Sequence, residues 1–398
     1  MEKLQDSLDL ALEWLSGAAV VRNNEPVGEN GRAFGYTVWN GAVRGEYFSG
    51  DKSWESFCPV WHTGQAVKAL VMASALPGRE NLLDTACECA GFILAQQINS
   101  GADEGLILAF EDHCDKVNTS AILEALDGLF MLSDRTGEKK YEECALKALQ
   151  WVSTHAWQQD MGKFFDLYQV PEGKFVFGIS GSQNRPLLDD AVFLKGWKRN
   201  GDESFRRIAL ATAETLLQDE EPAGNWIKYI PCSVKNNSLH PRHAYWWGMP
   251  MLELFHENGD RRYYELFCRA AEWYKKALRR DGGLFRGTYA DFNTDSFGHA
   301  ASGSACAAIM LEKYYGITGD ETVLPLISSA ENFCMQMQFT APEDPSLRGA
   351  ILEKVMAPDG SDRIPFLVRD LGSIFFIQAA VLTLERLNGK DRGSLFLS

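Results

Sequence analysis

The sequence predicts an all-α fold, an (α/α)6 toroid in which 398 residues form six helical hairpins around a central cavity. A short turn motif recurs at intervals of about 60 residues, which is typical of a repeat architecture. The segments between the turns have helical periodicity. The first residues form an amphipathic helix that can complete the last hairpin. We therefore expect residues 1–398 to be a single catalytic domain.

The repeated turn joins the two helices of each hairpin. Four copies are similar in sequence: TGEKKY, NGDESF, NGDRRY and TGDETV. Glycine supports the left-handed conformation that ends a helix, and the acidic residue that follows favours the start of the next helix. Two weaker copies extend the series at the same spacing. The six turn glycines are Gly78, Gly137, Gly201, Gly259, Gly319 and Gly389.

Counting back from each turn locates the first helix of each hairpin. These helices contain many small residues, as in HAASGSACAAIM, which suits a crowded inner ring. The second helices have longer charged faces, which suits an outer ring against water. Residues 1–17 are predicted to form the sixth outer helix and residues 390–398 a tail, with an open solenoid as the alternative. The inner helices are predicted to begin near Trp61, Asn118, Pro186, Arg242, His299 and Val368.

Composition and charge argue against several classes of protein. The formal net charge of −15 would repel the phosphates of a nucleic acid. The acidic N-terminus lacks the features of a secretion signal, and no apolar run reaches the length of a membrane span, so we expect a cytoplasmic protein without a membrane anchor. Nine cysteines without a CxxC pair favour reduced thiols. No motif for a phosphate loop, cofactor or metal is recognised, and we expect neither a cofactor nor a metal.

Long segments precede the six inner helices and contain most of the glycines together with many aromatic and charged residues. Because all of these segments enter the same end of the ring, they are predicted to form one rim around one pocket. We expect function at this rim, with a small molecule or an oligosaccharide as the substrate.

Asp189 and Asp190 are the first catalytic candidates. Counted back from Gly201, they lie deeper in the ring than the other polar candidates, where nearly all the other hairpins have apolar or small residues. Burial raises the pKa of a carboxyl group, which prepares a general acid. Adjacent helical residues point about 100° apart, so only one of the two is expected to face the axis. Alternatively, this helix starts later and the pair caps its first turn.

Other candidates are predicted near the N-terminal mouth of the inner helices. His243 and His62 both lie 16 residues before their turn glycines, in opposite hairpins. His243 is a catalytic candidate, and Asp115 in a rim segment is a further acid or base. Asn118 and Asp370 can equally be helix caps, and a lone histidine is often structural. The predicted substrate-binding residues are Trp61, His62, Asn118, Arg242, Trp246, Trp247, His299, Arg369 and Asp370.

The inner-helix segments resemble those of six-hairpin glycosidases, in particular the unsaturated glucuronyl and rhamnogalacturonyl hydrolases. The segment WHTGQA from Trp61 is similar to their tryptophan–glycine inner helix, and LDD from Leu188 to the aspartate that they use as general acid. In that family the acid protonates a vinyl ether, so that water adds and the unsaturated uronide is released. The resemblance implies this role for Asp189 or Asp190, with His243 or an arginine near the substrate carboxylate.

Other proteins with a similar toroid provide the alternatives. The segment DKVN from Asp115 occupies the place of the acidic motif of terpenoid cyclases but lacks its consecutive aspartates. Sugar epimerases or lyases, and a toroid that binds without catalysis, are further alternatives. Tryptophan beside arginine and histidine in a polar pocket favours a sugar, whereas a closed apolar pocket with one isolated acid favours an isoprenoid.

Overall fold

A computed structural model describes most of the chain and confirms the all-α prediction. Two predicted features, His299 and the tail from residue 391, lie outside the described residues. Within the described ranges, no helix is long and apolar enough to cross a bilayer. The described residues are 1–25, 35–111, 114–177, 184–285, 287–293, 300–353 and 365–390.

Twelve α-helices of the described residues form the six hairpins. The inner helices are α2 (Pro59–Ser74), α4 (Thr119–Thr136), α6 (Val192–Asn200), α8 (Met251–Asn258), α10 (Ala301–Thr318) and α12 (Leu371–Leu387). The outer helices are α1 (Glu2–Ser16), α3 (Leu82–Ala95), α5 (Lys139–His155), α7 (Glu203–Gln218), α9 (Arg261–Ala277) and α11 (Leu324–Gln336).

The ring is closed by its first and last helices. α12 packs against both α10 and α2, and α2 packs against α4. The amphipathic α1 lies against α12 as predicted. The Ser7 hydroxyl on α1 donates a hydrogen bond of 2.5 Å to Oε1 of Gln338, and the Trp14 indole donates one of 2.9 Å to the carbonyl of Ser346. The prediction of a closed toroid is confirmed, and the open solenoid is wrong.

The turn motif has the predicted geometry. All six turn glycines are left-handed, with φ between 68° and 84°. At three of the turns the following aspartate caps the next helix through its side chain. Asp202, Asp260 and Asp320 accept hydrogen bonds of 2.8, 2.9 and 3.0 Å from the backbone N–H two residues later. The same local chemistry therefore ends the inner helix and starts the outer helix.

Two inner helices start later than predicted. The expected start of the third near Pro186 is wrong, because a 3₁₀ turn over Asp189–Ala191 precedes α6. Asp190 and Ala191 have φ of 48° and 51°, which a right-handed helix does not allow. In the fourth hairpin a π-helical turn over Ala244–Gly248 precedes α8. α8 begins after Pro250, which has no N–H to continue the earlier turn.

Within the described part of the rim segments lie ten short strands, which the sequence did not predict. They anchor the starts of α4 and α12, since β3 ends at Asn118 and β10 ends at Arg369, immediately before these helices. β1 pairs antiparallel with both β2 and β10, and β6 with both β3 and β7. β4 pairs with β5, and β8 with β9. The strands are β1 (Glu46–Phe48), β2 (Ser53–Glu55), β3 (Lys116–Asn118), β4 (Trp157–Gln158), β5 (Lys163–Phe164), β6 (Leu167–Gln169), β7 (Lys174–Phe175), β8 (Ser238–Leu239), β9 (Thr288–Tyr289) and β10 (Leu367–Arg369).

Two glycines allow α2 and α4 to approach each other closely. A Cβ at Gly64 would lie 2.4 Å from the Cα of Ala125, and a Cβ at Gly128 would lie 2.3 Å from the carbonyl oxygen of Gly64. Both distances are far shorter than a carbon can approach another residue's backbone. The close contact brings the Gln65 amide within 2.7 Å of the backbone oxygen of Glu124, to which it donates a hydrogen bond.

We predict that Gly64→Ala lowers the free energy of unfolding by about 2 kcal/mol or more, because the added methyl group forces the two inner helices apart. The measurement is urea unfolding followed by circular dichroism. Gly91→Ala is the control, since Gly91 lies within α3 and a Cβ there meets no atom within 4 Å. This control should raise stability by about 0.5–1 kcal/mol. Equal effects of both changes would contradict the proposed close contact.

Candidate functional site

Two of the cavities lined by described residues lie at different heights in the ring. The first, which we name the rim gap, lies at the start of the inner helices and has a volume of about 10 Å³, close to the space that one water molecule needs. The second is a cavity of about 570 Å³ near the turns at the other end. The predicted single rim pocket is therefore only a narrow gap within the described residues. The rim gap is lined by Gln65, Glu124, Asp189, Asp190, Tyr245, Trp246 and Phe375.

A pair of buried carboxyl groups dominates the rim gap. Asp189 is 3 % exposed and Glu124 is 7 % exposed. Burial raises the pKa of Asp189 to about 7 against the opposing charge of Arg185. Burial and the neighbouring Asp189 charge raise the pKa of Glu124 well above its usual range. Oδ2 of Asp189 has no hydrogen-bond partner among the described residues.

Asp190 is bound by a different set of groups. Its Oδ1 lies 2.7 Å from the Lys68 ammonium, and its Oδ2 accepts a hydrogen bond of 3.3 Å from Gln65. Lys68 also contacts Asp127 at 2.9 Å, and Asp127 contacts Lys195 at 2.5 Å. Asp189 and Asp190 therefore differ in environment, which agrees with the expectation that only one of the two faces the site as a free acid.

Arg185 provides the positive charge beneath the carboxyl pair. Its guanidinium contacts the fully buried Asp166 at 2.5 Å and donates a hydrogen bond of 2.6 Å to the Ser120 hydroxyl. Asp166 in turn accepts hydrogen bonds of 3.1 Å from the backbone N–H and the hydroxyl of Ser120. This network connects the start of α4 to the segment that leads to Asp189.

Aromatic rings surround a second arginine beside the gap. The guanidinium carbon of Arg242 lies 5.4 Å from the ring centre of Trp61 and 5.1 Å from that of Trp246. The two tryptophans meet edge to face, with ring centres 6.4 Å apart, so the first and fourth hairpins approach each other here. His240 stacks on Trp246 at 5.3 Å. Among the described residues, Nε of Arg242 has no hydrogen-bond partner.

The two predicted histidines are buried in the walls of the ring. Burial and the charge of Arg185 lower the pKa of His243 to about 3, so this imidazole is neutral at physiological pH. Its Nδ1 lies 2.9 Å from the Sγ of Cys232. His62 lies with its Nδ1 2.6 Å from Oδ1 of Asp370, and both side chains are fully buried. A neutral imidazole does not attract a substrate carboxylate by charge, and the catalytic role of His243 stays a prediction.

Four other predicted site residues lie outside the lining of the rim gap. Trp247 is 1 % exposed and packs against Trp226, with ring centres 5.6 Å apart, so its contact with a substrate stays a prediction. Arg369 is paired with Glu46 across the strands β10 and β1. Asp115 pairs with the adjacent Lys116 at 2.8 Å.

Asn118 is the fourth of these residues. It occupies the N-cap position of α4 but makes no capping hydrogen bond through its side chain. Its Oδ1 is buried without a partner among the described residues. A purely structural capping role is therefore not supported, and contact with a substrate stays a prediction.

Sequence reasoning did not single out four residues that line the rim gap: Gln65, Glu124, Tyr245 and Phe375. It also did not single out Lys68, which binds Asp190. Glu124 and Asp127 lie three residues apart within α4, which otherwise contributes small and apolar side chains to the ring over its central turns. Two acids at this spacing share one helix face. This pattern was the signal that the sequence offered. Counting back from Gly137 instead places the adjacent Ala125 and Leu126 at the depth of Asp189 and Asp190.

No family model and no curated protein matches the sequence. Solved structures match it at low identity. Cellobiose 2-epimerase from Bacillus thermoamylovorans B4167 has a TM-score of 0.69 and 12% identity, over 95% of this chain and 98% of that chain. The chain has the six-hairpin toroid fold. An unsaturated glucuronyl hydrolase specific for heparin has a TM-score of 0.67 and 15% identity, over 98% of this chain and 99% of that chain. A D-mannose isomerase has a TM-score of 0.65 and 11% identity, over 96% of this chain and 97% of that chain.

We predict that Asp166→Asn lowers the free energy of unfolding by about 3 kcal/mol, because it leaves the buried Arg185 without its anionic partner. Urea unfolding measures this loss. Glu13→Gln is the control, since Glu13 and its partner Arg348 are both largely exposed and such a pair contributes about 0.5 kcal/mol or less. A loss no larger than that of the control would show that Asp166 does not hold Arg185.

Proposed function

We propose that the protein is a carbohydrate-active enzyme, a glycoside hydrolase that acts on an oligosaccharide ending in an unsaturated uronic acid. The observation that supports this function most directly is the pair of buried carboxyl groups, Glu124 and Asp189, in one gap beside Arg242 and Trp246. Such a pair provides a proton donor and a proton acceptor at neutral pH. The structural neighbours include both glucuronyl hydrolases and sugar epimerases, which agrees with a sugar substrate.

Aromatic and basic residues at the gap bind and orient the substrate. Tryptophan rings stack on the apolar faces of sugars. Trp246 lines the gap together with the carboxyl pair, and Trp61 contacts Trp246 edge to face. Arginine binds a carboxylate in bidentate fashion, and Nε of Arg242 is available for this contact. The combination of two tryptophans with Arg242 and His240 fits a sugar acid rather than a neutral sugar.

The two carboxyl groups have different roles in proton transfer: one donates a proton and the other accepts one. Glu124 keeps its proton at neutral pH, whereas Asp189, with a pKa of about 7, is partly ionised. Glu124 then donates its proton to the double bond of the vinyl ether, and water adds to the cation that forms. Asp189 accepts the proton that this water releases. The hydrated sugar breaks down to free the uronide, and proton transfer between the two carboxyl groups restores the starting state.

The terpenoid cyclase alternative is not supported by this site. Its expected signature is a closed apolar pocket with one isolated acid, whereas the rim gap contains Gln65, Asp190 and two coupled carboxyl groups. A sugar epimerase also needs an acid and a base, and it is the second candidate because structures of cellobiose 2-epimerases have the same fold. Incubation with unsaturated uronides, with cellobiose and with mannose separates the two functions.

We predict hydrolysis of unsaturated uronyl disaccharides, measured as the loss of the ultraviolet absorbance of the conjugated double bond. Asp189→Asn and Glu124→Gln should each lower kcat about a hundredfold or more, because each change removes one half of the acid–base pair. Asp134→Asn, at the other end of the ring, is the control and should keep full activity. Full activity in both pair variants, or epimerisation of cellobiose without hydrolysis, would exclude the proposal.

The active form of the pair has one proton, so activity should depend on pH in a bell shape. We predict that kcat rises as pH increases through about 7, where Asp189 ionises, and falls at higher pH as Glu124 loses its proton. Arg185 lowers the pKa of Asp189. Arg185→Gln should therefore move the rising limb to higher pH, whereas Arg185→Lys should leave it near its original place. An unchanged profile in Arg185→Gln would contradict the role of Asp189.

A further inference from the structure

Arg242 is a buried cation, only 9 % exposed, beside the rim gap. Among the described residues, its guanidinium contacts the rings of Trp61 and Trp246 and the hydroxyl of Ser302, and no carboxylate pairs with it. A buried charge that lacks a counter-charge has a high free-energy cost. An anionic group of a ligand would lower this cost.

The main chain before Arg242 is held between two helices. The hydroxyl of Tyr274 on α9 donates a hydrogen bond of 2.7 Å to the carbonyl of Pro241. On α10, a Cβ at Gly303 would lie 2.8 Å from the Cβ of Pro241, so glycine at this position allows the start of α10 to approach closely. The contact brings Ser302, the neighbour of Gly303, next to the side chain of Arg242.

Ser302 is itself fixed by a buried acid. It is the second residue of α10, and its backbone N–H donates a hydrogen bond of 2.7 Å to Oε2 of Glu353. Its hydroxyl donates one of 2.5 Å to Oε1 of the same carboxylate. The backbone carbonyl of Glu353 accepts a third hydrogen bond, of 3.0 Å, from the N–H of Ala301. Glu353, in the segment between α11 and α12, therefore fixes both the start of α10 and the rotation of the Ser302 hydroxyl.

The direction of this hydroxyl determines how Arg242 is held. Because the Ser302 hydroxyl donates its proton to Glu353, its oxygen can only accept on its other side. Nη1 of Arg242 donates a long hydrogen bond of 3.4 Å to this oxygen. A neutral acceptor thus orients the guanidinium, and the charge of Glu353 is taken up by the start of α10 instead of by Arg242.

We propose that Ser302 and Glu353 are positioning residues that make the site selective for a sugar with a carboxylate. They orient Arg242 without pairing with it, so that its charge is left for the carboxylate of the ligand. A neutral sugar gains nothing from this charge. The role rests on the proposed function, since it takes a uronic acid as the ligand beside Trp61 and Trp246.

The test compares two ligands of the same shape: an unsaturated glucuronyl disaccharide and its uronamide, in which a neutral amide replaces the carboxylate. Each is titrated at pH 7 by isothermal calorimetry into the full chain with Asp189→Asn, which is expected to stop turnover. We expect the acid to bind at least about tenfold more tightly than the amide, because charge-assisted hydrogen bonds are the stronger ones. Equal affinity for the two ligands, or no binding of either, would overturn the proposal.

Two variants test the positioning residues. Ser302→Ala removes the acceptor of Arg242, and it should reduce the preference for the acid to about threefold or less. Glu353→Gln should do the same, because the new amide donates to the Ser302 hydroxyl and turns the hydroxyl proton toward the guanidinium. Ser304→Ala is the matched control, since Ser304 is equally buried in α10 and its hydroxyl has no partner among the described residues. A full preference in Ser302→Ala or in Glu353→Gln, or an equal loss in Ser304→Ala, would overturn the proposal.

Kinetics of the chain that retains Asp189 separate positioning from a general loss of structure. Ser302→Ala should raise KM for the disaccharide about tenfold and change kcat less than about twofold, because Arg242 binds the substrate but transfers no proton. A lower kcat at unchanged KM would contradict the role. If the acid is preferred and both variants lose the preference but no hydrolysis occurs, the proposed function is wrong and the positioning role is confirmed. If hydrolysis occurs and the variants keep the preference, only the positioning role is wrong.

Discussion

The ammonium group of Lys68 bridges carboxylates from two neighbouring hairpins, and the interior of the ring depends on this bridge. Burial opposes the charge, but Asp127 and Asp190 together raise the pKa of Lys68 well above its usual range. The contact joins α2, α4 and the 3₁₀ turn before α6 at the centre of the ring. It also stands between the two cavities, since Lys68 lines the larger one and Asp190 lines both. Asp190 is thereby paired with Lys68, whereas Asp189 shares the rim gap with Glu124.

The architecture was predictable because its signals are local. Each turn requires a left-handed glycine, and an aspartate after it caps the next helix, so both signals can be read within six residues. The late starts of the third and fourth inner helices were not predictable in this way. They depend on positive φ at Asp190 and on the π-helical turn before Pro250, neither of which has a signal in the local sequence.

The candidate site was predicted only in part. Asp189 was found because its position breaks an apolar pattern in one hairpin. Its partner Glu124 belongs to another hairpin 65 positions earlier, and no local pattern joins the two. The surroundings of the tryptophans could not be predicted either. Trp246 and Trp247 are adjacent in the sequence, but the fold turns Trp246 toward the gap and Trp247 into the core. Which of two neighbouring side chains meets a ligand is a property of the whole ring.

Closure of the ring by α1 has a consequence for folding. α1 packs against α12 and is held by the segment after α11, and the Ser7–Gln338 hydrogen bond spans 331 residues. The apolar face of α1, which includes Leu8, Ala11 and Leu15, therefore depends on contacts with residues far away in the sequence. Contacts of such long range form more slowly than those within one hairpin. An apolar face that waits for a distant partner invites aggregation or the binding of a chaperone.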